Sequence, residues 1–198
     1  MSLLIGITGN IGSGKTTVAE YIKKIYPNAI IYSFAEPLKK IAEIFKFDNH
    51  QIYGSQEDKL EINKHWNVSC REFLQKVGTE LFRNRLSEII PEFKDKSVWI
   101  ELFKIQVEKQ PGIYIIPDVR FLNESEIIQK KKGYIIKTVR KKYNSDSEES
   151  KHTSELEIDK IKYDYLIDND NNDLEESKKI ILDIIMNINK DYYIQNDF

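Results

Sequence analysis

The sequence predicts an α/β protein built on a mostly parallel central sheet, and three observations carry that prediction. The stretch Gly9-Asn10-Ile11-Gly12-Ser13-Gly14-Lys15-Thr16 fits the pattern Gly-x-x-x-x-Gly-Lys-[Ser/Thr], and it stands between an apolar strand-like run and a helix-like segment. Strand-like and helix-like segments then alternate along the chain, as they do where helices cross between parallel strands. One run, Gly112 to Asp118, is apolar almost throughout, the composition of a strand covered on both faces.

Taken in order, Leu3-Leu4-Ile5-Gly6-Ile7 reads as the first buried strand and Thr17 to Ile25 as the helix after the glycine-rich loop. Pro27 helps to end that helix, and Asn28 to Phe34 is expected as a second strand. Pro37 opens a helix over Leu38 to Phe45, with Leu38, Ile41, Ala42 and Phe45 on one face. Residues 46 to 69 have weak periodicity and are expected as loop and short helices. Arg71 to Leu86 and Val98 to Lys109 are expected as helices, Gly112 to Asp118 as the third strand, and Asn123 to Lys132 as a helix. Tyr134 to Val139 and Tyr163 to Ile167 are the fourth and fifth strands. The last helix, Leu174 to Ile188, places Leu174, Ile181, Ile184, Ile185 and Ile188 on one side, and Asp191 to Phe198 is expected as a surface tail. We expect one domain over 1–198, with a helical region at 46–110 and a polar, lid-like insert at 140–162.

The chain has 198 residues, enough for one well-buried domain, and 40% of them are hydrophobic. Its 30 Lys and Arg against 32 Asp and Glu create no overall basic field, which argues against a nucleic-acid partner and for a small molecule. Cys70 stands alone, so an internal disulfide is excluded and a zinc site is unsupported. No apolar run approaches the roughly eighteen residues of a membrane span, and no secretory leader is legible, so the expected location is cytoplasmic, without a membrane partner.

The glycine-rich loop reads as a phosphate cradle. Glycines let the chain curl with backbone N–H groups pointing inward, and the helix that follows adds the positive end of its dipole. Lys15 is expected on the β- and γ-phosphates, with Gly9, Asn10, Gly12, Ser13, Gly14, Thr16 and Thr17 around the nucleotide, and Thr16 as a magnesium ligand. Asp118 ends the third strand and is followed by Val119-Arg120; ligands in open α/β sheets sit beyond the strands' carboxyl ends, so Asp118 is expected beside the cradle as a second magnesium ligand. Arg71, Gln75, Thr79 and Arg83 recur every four residues as a slowly drifting polar stripe, opposite Phe73, Leu74, Val77 and Leu81. Gly78 within that helix implies a close neighbour, for which a substrate is one candidate. Arg140 leads into the polar insert with Lys141 and Lys142, where cations could close over transferring phosphates. Asp168 to Asp173 starts like a calcium loop but lacks the Gly and Glu that such a loop requires, so it reads as a turn and helix cap. His50 and His65 lack a ligand constellation, and Trp66 and Trp99 read as core or rim residues.

No Asn-Lys-x-Asp segment is present to read guanine, and no apolar strand ends in Asp-Glu as in motor and transport ATPases. The length and arginine supply suit a small kinase. The chain resembles the deoxynucleoside monophosphate kinases of bacteriophages and large DNA viruses. The resemblance is carried by the glycine-rich loop, Ser33-Phe34-Ala35-Glu36-Pro37-Leu38-Lys39, Arg71 to Glu80, Trp99, Asp118 to Glu124, and His152-Thr153-Ser154-Glu155. It implies an adenylate-kinase-like, three-layer fold with a five-stranded sheet, a helical acceptor-binding insert and a small lid. It further implies transfer of the ATP γ-phosphoryl group to a deoxynucleoside monophosphate, with ATP and Mg2+ as cofactors and a homodimer as a compatible assembly. Lys15, Asp118, Arg120 and Arg140 would be catalytic; Phe34, Lys39, Arg71, Gln75, Thr79, Arg83, Arg120 and His152 would surround the acceptor, with Arg140 and His152 in the lid. Animal-type phosphomevalonate kinases are similar in the same order, and a nucleotide-binding regulator without turnover is the alternative from another class.

Overall fold

A computed structural model describes residues 2–140, 157–170 and 174–196. The chain forms two compact units: residues 1–33 with 106–198, and residues 34–105.

The first unit is built on five strands: β1 (Leu3–Thr8), β2 (Ile30–Ile31), β5 (Ile113–Val119), β6 (Tyr134–Val139) and β7 (Tyr165–Asp168). They hydrogen-bond in the order β2-β5-β1-β6-β7, every pair parallel. Parallel pairing needs long return crossovers, and α1 (Lys15–Ile25) and α8 (Leu122–Lys130) supply two of them, while α9 (Leu174–Asn196) follows the last strand. One sheet face presents Leu3, Ile5 and Ile7 of β1 with Ile115, Ile136 and Ile167 to Val18, Ala19 and Ile22 of α1 and to Ile181, Ile184, Ile185 and Ile188 of α9. On the other face α8 covers β1 and β6. The result is three layers, helix on sheet on helix, which is why β1 is buried along its whole length.

The ladder between β1 and β5 steps from Gly6↔Ile116 to Thr8↔Val119, so β5 carries one extra residue at Pro117-Asp118. Proline has no N–H to lose from a ladder, and a bulge re-aims the side chain beside it. Here that side chain is Asp118.

The second unit contains α2 (Glu36–Ile44), α3 (Asn49–Tyr53), α4 (Gln56–Leu60), a two-stranded antiparallel hairpin of β3 (Ile62–Asn63) and β4 (Val68–Ser69), α5 (Cys70–Gln75), a π-helix over Lys76–Arg85, and α6 (Leu86–Ile89). A 3₁₀ turn over Pro91–Phe93 leads to α7 (Val98–Lys109), whose last residues fall in the first unit. Ser69 caps α5 by accepting the Glu72 N–H at 3.2 Å. Gln51 and Asn63, both buried, organise the hairpin. Gln51 accepts from Asn63 at 3.1 Å, and Asn63 accepts the His65 and Trp66 backbone N–H groups.

Several expectations change. The second strand is two residues long rather than Asn28 to Phe34, because only Ile30, Ile31 and the Tyr32 N–H still reach β5 before the chain leaves the sheet edge. The stretch 46–69 contains a hairpin as well as short helices, since Asn63 closes a turn at Asn67, whose φ is 53°. The helix expected over Arg71 to Leu86 is α-helical only at its ends. The wider π turn, with i→i+5 bonds, inserts one residue into the period. The apolar position that follows Val77 therefore falls on Phe82, whose ring lies 5.4 Å from Trp99, while Leu81 is 39% exposed. The last helix continues to Asn196 rather than ending at Ile188, and Tyr192 packs against the same core as Ile188. The side chain of Leu174 lies outside the described residues, as do 141–156.

Candidate phosphate-binding site

The loop between β1 and α1 has the geometry of an anion cradle. Gly9 has φ 147° and Gly14 φ 100°, regions that side-chain-bearing residues rarely occupy, and a Cβ on Gly9 would sit 2.3 Å from the Thr138 carbonyl oxygen. Gly14 is the N-cap of α1, so the first-turn N–H groups, which have no intrahelical partner, point at the loop. Lys15 curls back over the loop, its Nζ donating to the Gly9 carbonyl at 2.6 Å and the Asn10 carbonyl at 2.8 Å. Its ammonium therefore lies across the cradle. Thr16 and Thr17 are exposed at the start of α1.

Two residues that the sequence placed only in a strand and in a turn hold this loop in place. Thr138 of β6 shares a hydrogen bond with Ser13 Oγ at 2.7 Å and donates to the Thr8 carbonyl at 3.3 Å. Asn169, just past β7, donates from Nδ2 to the Ser13 carbonyl at 2.7 Å. The sequence signal for Asn169 was its place in the turn after the last strand, a position consistent with capping and silent about Ser13, 156 residues upstream.

Strand order brings the remaining catalytic candidates of this unit to one sheet edge. Asp118 and Arg120 leave β5 and Arg140 leaves β6, the two strands that flank β1, at the carboxyl ends where the loop begins. The half-buried Asp118 carboxylate accepts from Ser33 Oγ at 2.6 Å. Burial first, then the Asp118 carboxylate, push the Tyr32 phenol far above its ordinary range, so Tyr32 stays neutral beside it. Arg120 is half-buried, and its backbone N–H and that of Phe121 both reach Glu124 Oε2, at 2.9 and 3.2 Å. Glu157 Oε2 accepts the Leu122 N–H at 3.0 Å, so two carboxylates satisfy the start of α8. Ile158 and Ile161 are buried, which places the end of the 140–162 stretch in the packed body of this unit. Arg140 is exposed, and His152 lies outside the described residues.

The acceptor candidates Phe34, Lys39, Arg71, Gln75, Thr79 and Arg83 all belong to the second unit. Phe34 is buried, its ring 5.2 Å from Phe103, so it serves packing. Lys39 Nζ lies 3.8 Å from Glu36 and 4.9 Å over the Tyr53 ring, while Tyr53 donates to Glu36 and Glu43 at 3.1 and 2.9 Å. Arg71 donates to the Gln56 side chain. Gln75 closes α5, and Thr79 and Arg83 lie in the π-helix, all half-buried. The close neighbour that Gly78 implied is Leu38: a Cβ there would meet Leu38 Cδ2 at 2.5 Å, and the Gly78 carbonyl accepts from Trp99 Nε1 at 3.3 Å. Packing, not a substrate, accounts for that glycine. Trp99 is core and Trp66 is rim, 44% exposed with Nε1 donating to the Phe45 carbonyl at 2.6 Å. Among the described residues no group of three or more His, Cys, Asp or Glu could hold a metal ion. No helix there is long and apolar enough to cross a membrane.

Comparison with known proteins gives this geometry a family. A family model described as deoxynucleotide monophosphate kinase matches residues 42–181, more than half of the chain. A protein of Acanthamoeba polyphaga mimivirus, assigned by its name as a deoxynucleotide monophosphate kinase, is 37% identical over 193 residues, which cover 93% of this chain and 97% of that one. The deoxynucleoside-5'-monophosphate kinase of Escherichia phage T5 is 25% identical over 189 residues, 65% of this chain and 72% of its own. The crystal structure of TT1252 from Thermus thermophilus shares the fold, with a TM-score of 0.50 at 15% identity over 93% of this chain and 96% of that one. On the family match and the extent of the viral relative, the chain belongs to the deoxynucleotide monophosphate kinase family.

Proposed function

We propose that the protein transfers the γ-phosphoryl group of ATP to the phosphate of a deoxynucleoside monophosphate, forming ADP and the deoxynucleoside diphosphate. The observation that carries this reading is the cradle itself: a loop with three glycines at positive φ, Gly9, Gly12 and Gly14, the N-terminus of α1 and a lysine folded across it, in a chain of this kinase family. An acceptor oxygen forms a bond to the γ-phosphorus as the bond to the β–γ bridging oxygen breaks, so charge shifts onto ADP and no proton need be removed from the acceptor. A phosphate monoester has a second pKa near 6 and is already largely ionised at neutral pH, which makes a general base unnecessary. What the protein must supply is position and positive charge.

Lys15 would follow the β- and γ-phosphates, leaving the carbonyls of Gly9 and Asn10 that it touches here. Arg120, half-buried at the end of β5, and Arg140, exposed at the end of β6, would neutralise charge on the transferring group. On the second unit Arg71 and Arg83 would hold the acceptor's phosphate, with Gln75 and Thr79 as neutral hydrogen-bonding groups and Lys39 released from Glu36 to join them. The donor chemistry fits magnesium. Thr16 offers a hydroxyl and Asp118 a carboxylate held by Ser33; both are hard oxygen donors, and Mg2+ characteristically takes one or two protein ligands and completes its shell with phosphates and water. Thr16 and Asp118 would hold such an ion, whose positive charge would lower the charge opposing attack on the phosphoryl group.

The test is a coupled ADP-release assay over the deoxynucleoside monophosphates, their ribose counterparts and phosphomevalonate, run on the unsubstituted protein and on Lys15→Ala. We expect turnover with at least one deoxynucleoside monophosphate and none measurable for Lys15→Ala, whose circular dichroism should match the parent. Turnover with phosphomevalonate alone, or with nothing, would overturn the proposal, and full activity of Lys15→Ala would remove the lysine from the chemistry.

A further inference from the structure

We propose that Asn169 is a positioning residue for the phosphate loop, holding the Ser13–Gly14 peptide in the orientation that turns the Gly14 N–H toward the bound phosphates. The proposal rests on the reading of Gly9 to Thr16 as an ATP cradle. In a planar trans peptide the C=O and the next N–H point in opposite directions. The Ser13 carbonyl is engaged by Asn169 Nδ2 at 2.7 Å, so the Gly14 N–H, on the other side of that peptide, must face away from Asn169. Without this contact the peptide next to two flexible glycines has far less to stop it from rotating and presenting its oxygen to an anion.

Asn169 is itself held from three directions. Its backbone N–H donates to the Val139 carbonyl at 2.9 Å, extending the β6–β7 ladder by one bond. Its Oδ1 accepts from Ser177 Oγ of α9 at 3.4 Å, which leaves Nδ2 as the end that faces the loop. On the loop side, a Cβ at position 14 would come within 2.7 Å of Nδ2. Gly14 is thus required twice, by its φ of 100° and by the approach of this amide. Thr138, which bonds Ser13 Oγ and the Thr8 carbonyl, fixes the same residue from β6. Strands on one side of β1 therefore tune a loop that grows out of β1, and the amide couples the β7–α9 junction to the phosphates.

The test uses Asn169→Ala and Asn169→Asp in the full chain, with ATP affinity measured by calorimetry and Tm measured without nucleotide. Asp keeps the shape of Asn but sets an acceptor against the Ser13 carbonyl, so a positioning role predicts weaker ATP binding in the order Asp, then Ala, then parent. Ala should lose about tenfold, equal to about 1.4 kcal/mol, with Asp losing more and both Tm values close to the parent's. A role in packing alone predicts the reverse order, with Asp near the parent, and would overturn the proposal. Parent-like ATP affinity in Asn169→Ala would overturn it too, as would losses that follow a fall in Tm. Failure of the unsubstituted protein to bind ATP would instead bring down the reading of the loop, and the positioning role with it.

Discussion

Gly78→Ala separates two explanations for a glycine in the middle of a helical segment. One is that a ligand approaches the backbone there; the other is that Leu38 does, as the 2.5 Å separation between Leu38 Cδ2 and the position of a Cβ indicates. Replacing Gly by Ala in a helical interior gains about 0.5–1 kcal/mol from reduced freedom of the unfolded chain. Forcing a methyl against a buried leucine costs about 1–3 kcal/mol, because Leu38 is 8% exposed and must leave its rotamer or move the backbone. The cost exceeds the gain by roughly 1 kcal/mol, which for a chain of this length lowers Tm by about 2–4 °C. Leu38→Val removes both Cδ atoms, so the double variant should recover the whole contact cost, about 1–3 kcal/mol, relative to the sum of the single changes, because the gain from reduced unfolded-state freedom is common to both backgrounds. Thermal or urea unfolding of the four proteins measures this coupling directly. Additivity within about 0.3–0.5 kcal/mol would refute the packing argument. An unchanged Tm together with a raised KM for the acceptor would restore a ligand as the reason for Gly78.

Arg120→Ala should lower kcat by about 10³-fold or more, the scale on which transition-state arginines act, without changing the unfolding midpoint; an effect seen only in protein yield would make Arg120 structural. Cys70 is buried and its thiol is pushed up to about 11 by burial, so at pH 8 only about one part in a thousand is thiolate. Iodoacetamide should label it in the folded protein far more slowly than in urea, and equal rates would contradict the burial. His50 Nε2 lies 2.8 Å from Glu61 Oε2, and that hydrogen bond raises the imidazole above its usual 6.5. A raised folded-state pKa contributes stability that is full below about pH 6.5 and fades as pH climbs through the folded value. The difference in urea midpoint between the parent and His50→Gln should therefore be larger at pH 5.5 than at pH 9; a constant difference would show that the pair does not titrate with folding.

Much of the first unit was legible because its signals are local and strong. Tyr134 to Val139 forms with the expected bounds, as does Val98 to Lys109, which lies mostly in the second unit, and the glycine-rich loop stands between β1 and α1 as its motif requires. A buried parallel strand needs a continuous apolar run, and a helix against it needs a 3.6-residue period; both are written within a dozen residues. The π-helix was not legible. Its sequence, Lys76 to Arg85, is compatible with an α-helix, and the extra residue is favoured only once Phe82 meets Trp99 and Trp99 finds the Gly78 carbonyl. The polar stripe was read on an α period, so its continuation through Thr79 and Arg83 follows a different rotation from the one expected. The hairpin around Asn63 escaped notice for a similar reason. Two-residue strands leave no measurable alternation, and their stability comes from the buried Gln51–Asn63 pair, whose members are twelve residues apart.

By itself the sequence determined the glycine-rich loop with its anion-cradle geometry, the parallel sheet and the family, because each is encoded by residues that act on their immediate neighbours. Gly9 and Gly14 supply backbone conformations, Lys15 supplies charge, and β1 supplies an apolar run. Tertiary structure alone decided what steadies that cradle and what aims the groups around it. Thr138 and Asn169 reach Ser13 across 125 and 156 residues of chain, and the bulge at Pro117-Asp118 exists only as a register between two strands. Hydrogen bonds of that span are set by strand order, and strand order is a property of the whole sheet rather than of any stretch within it.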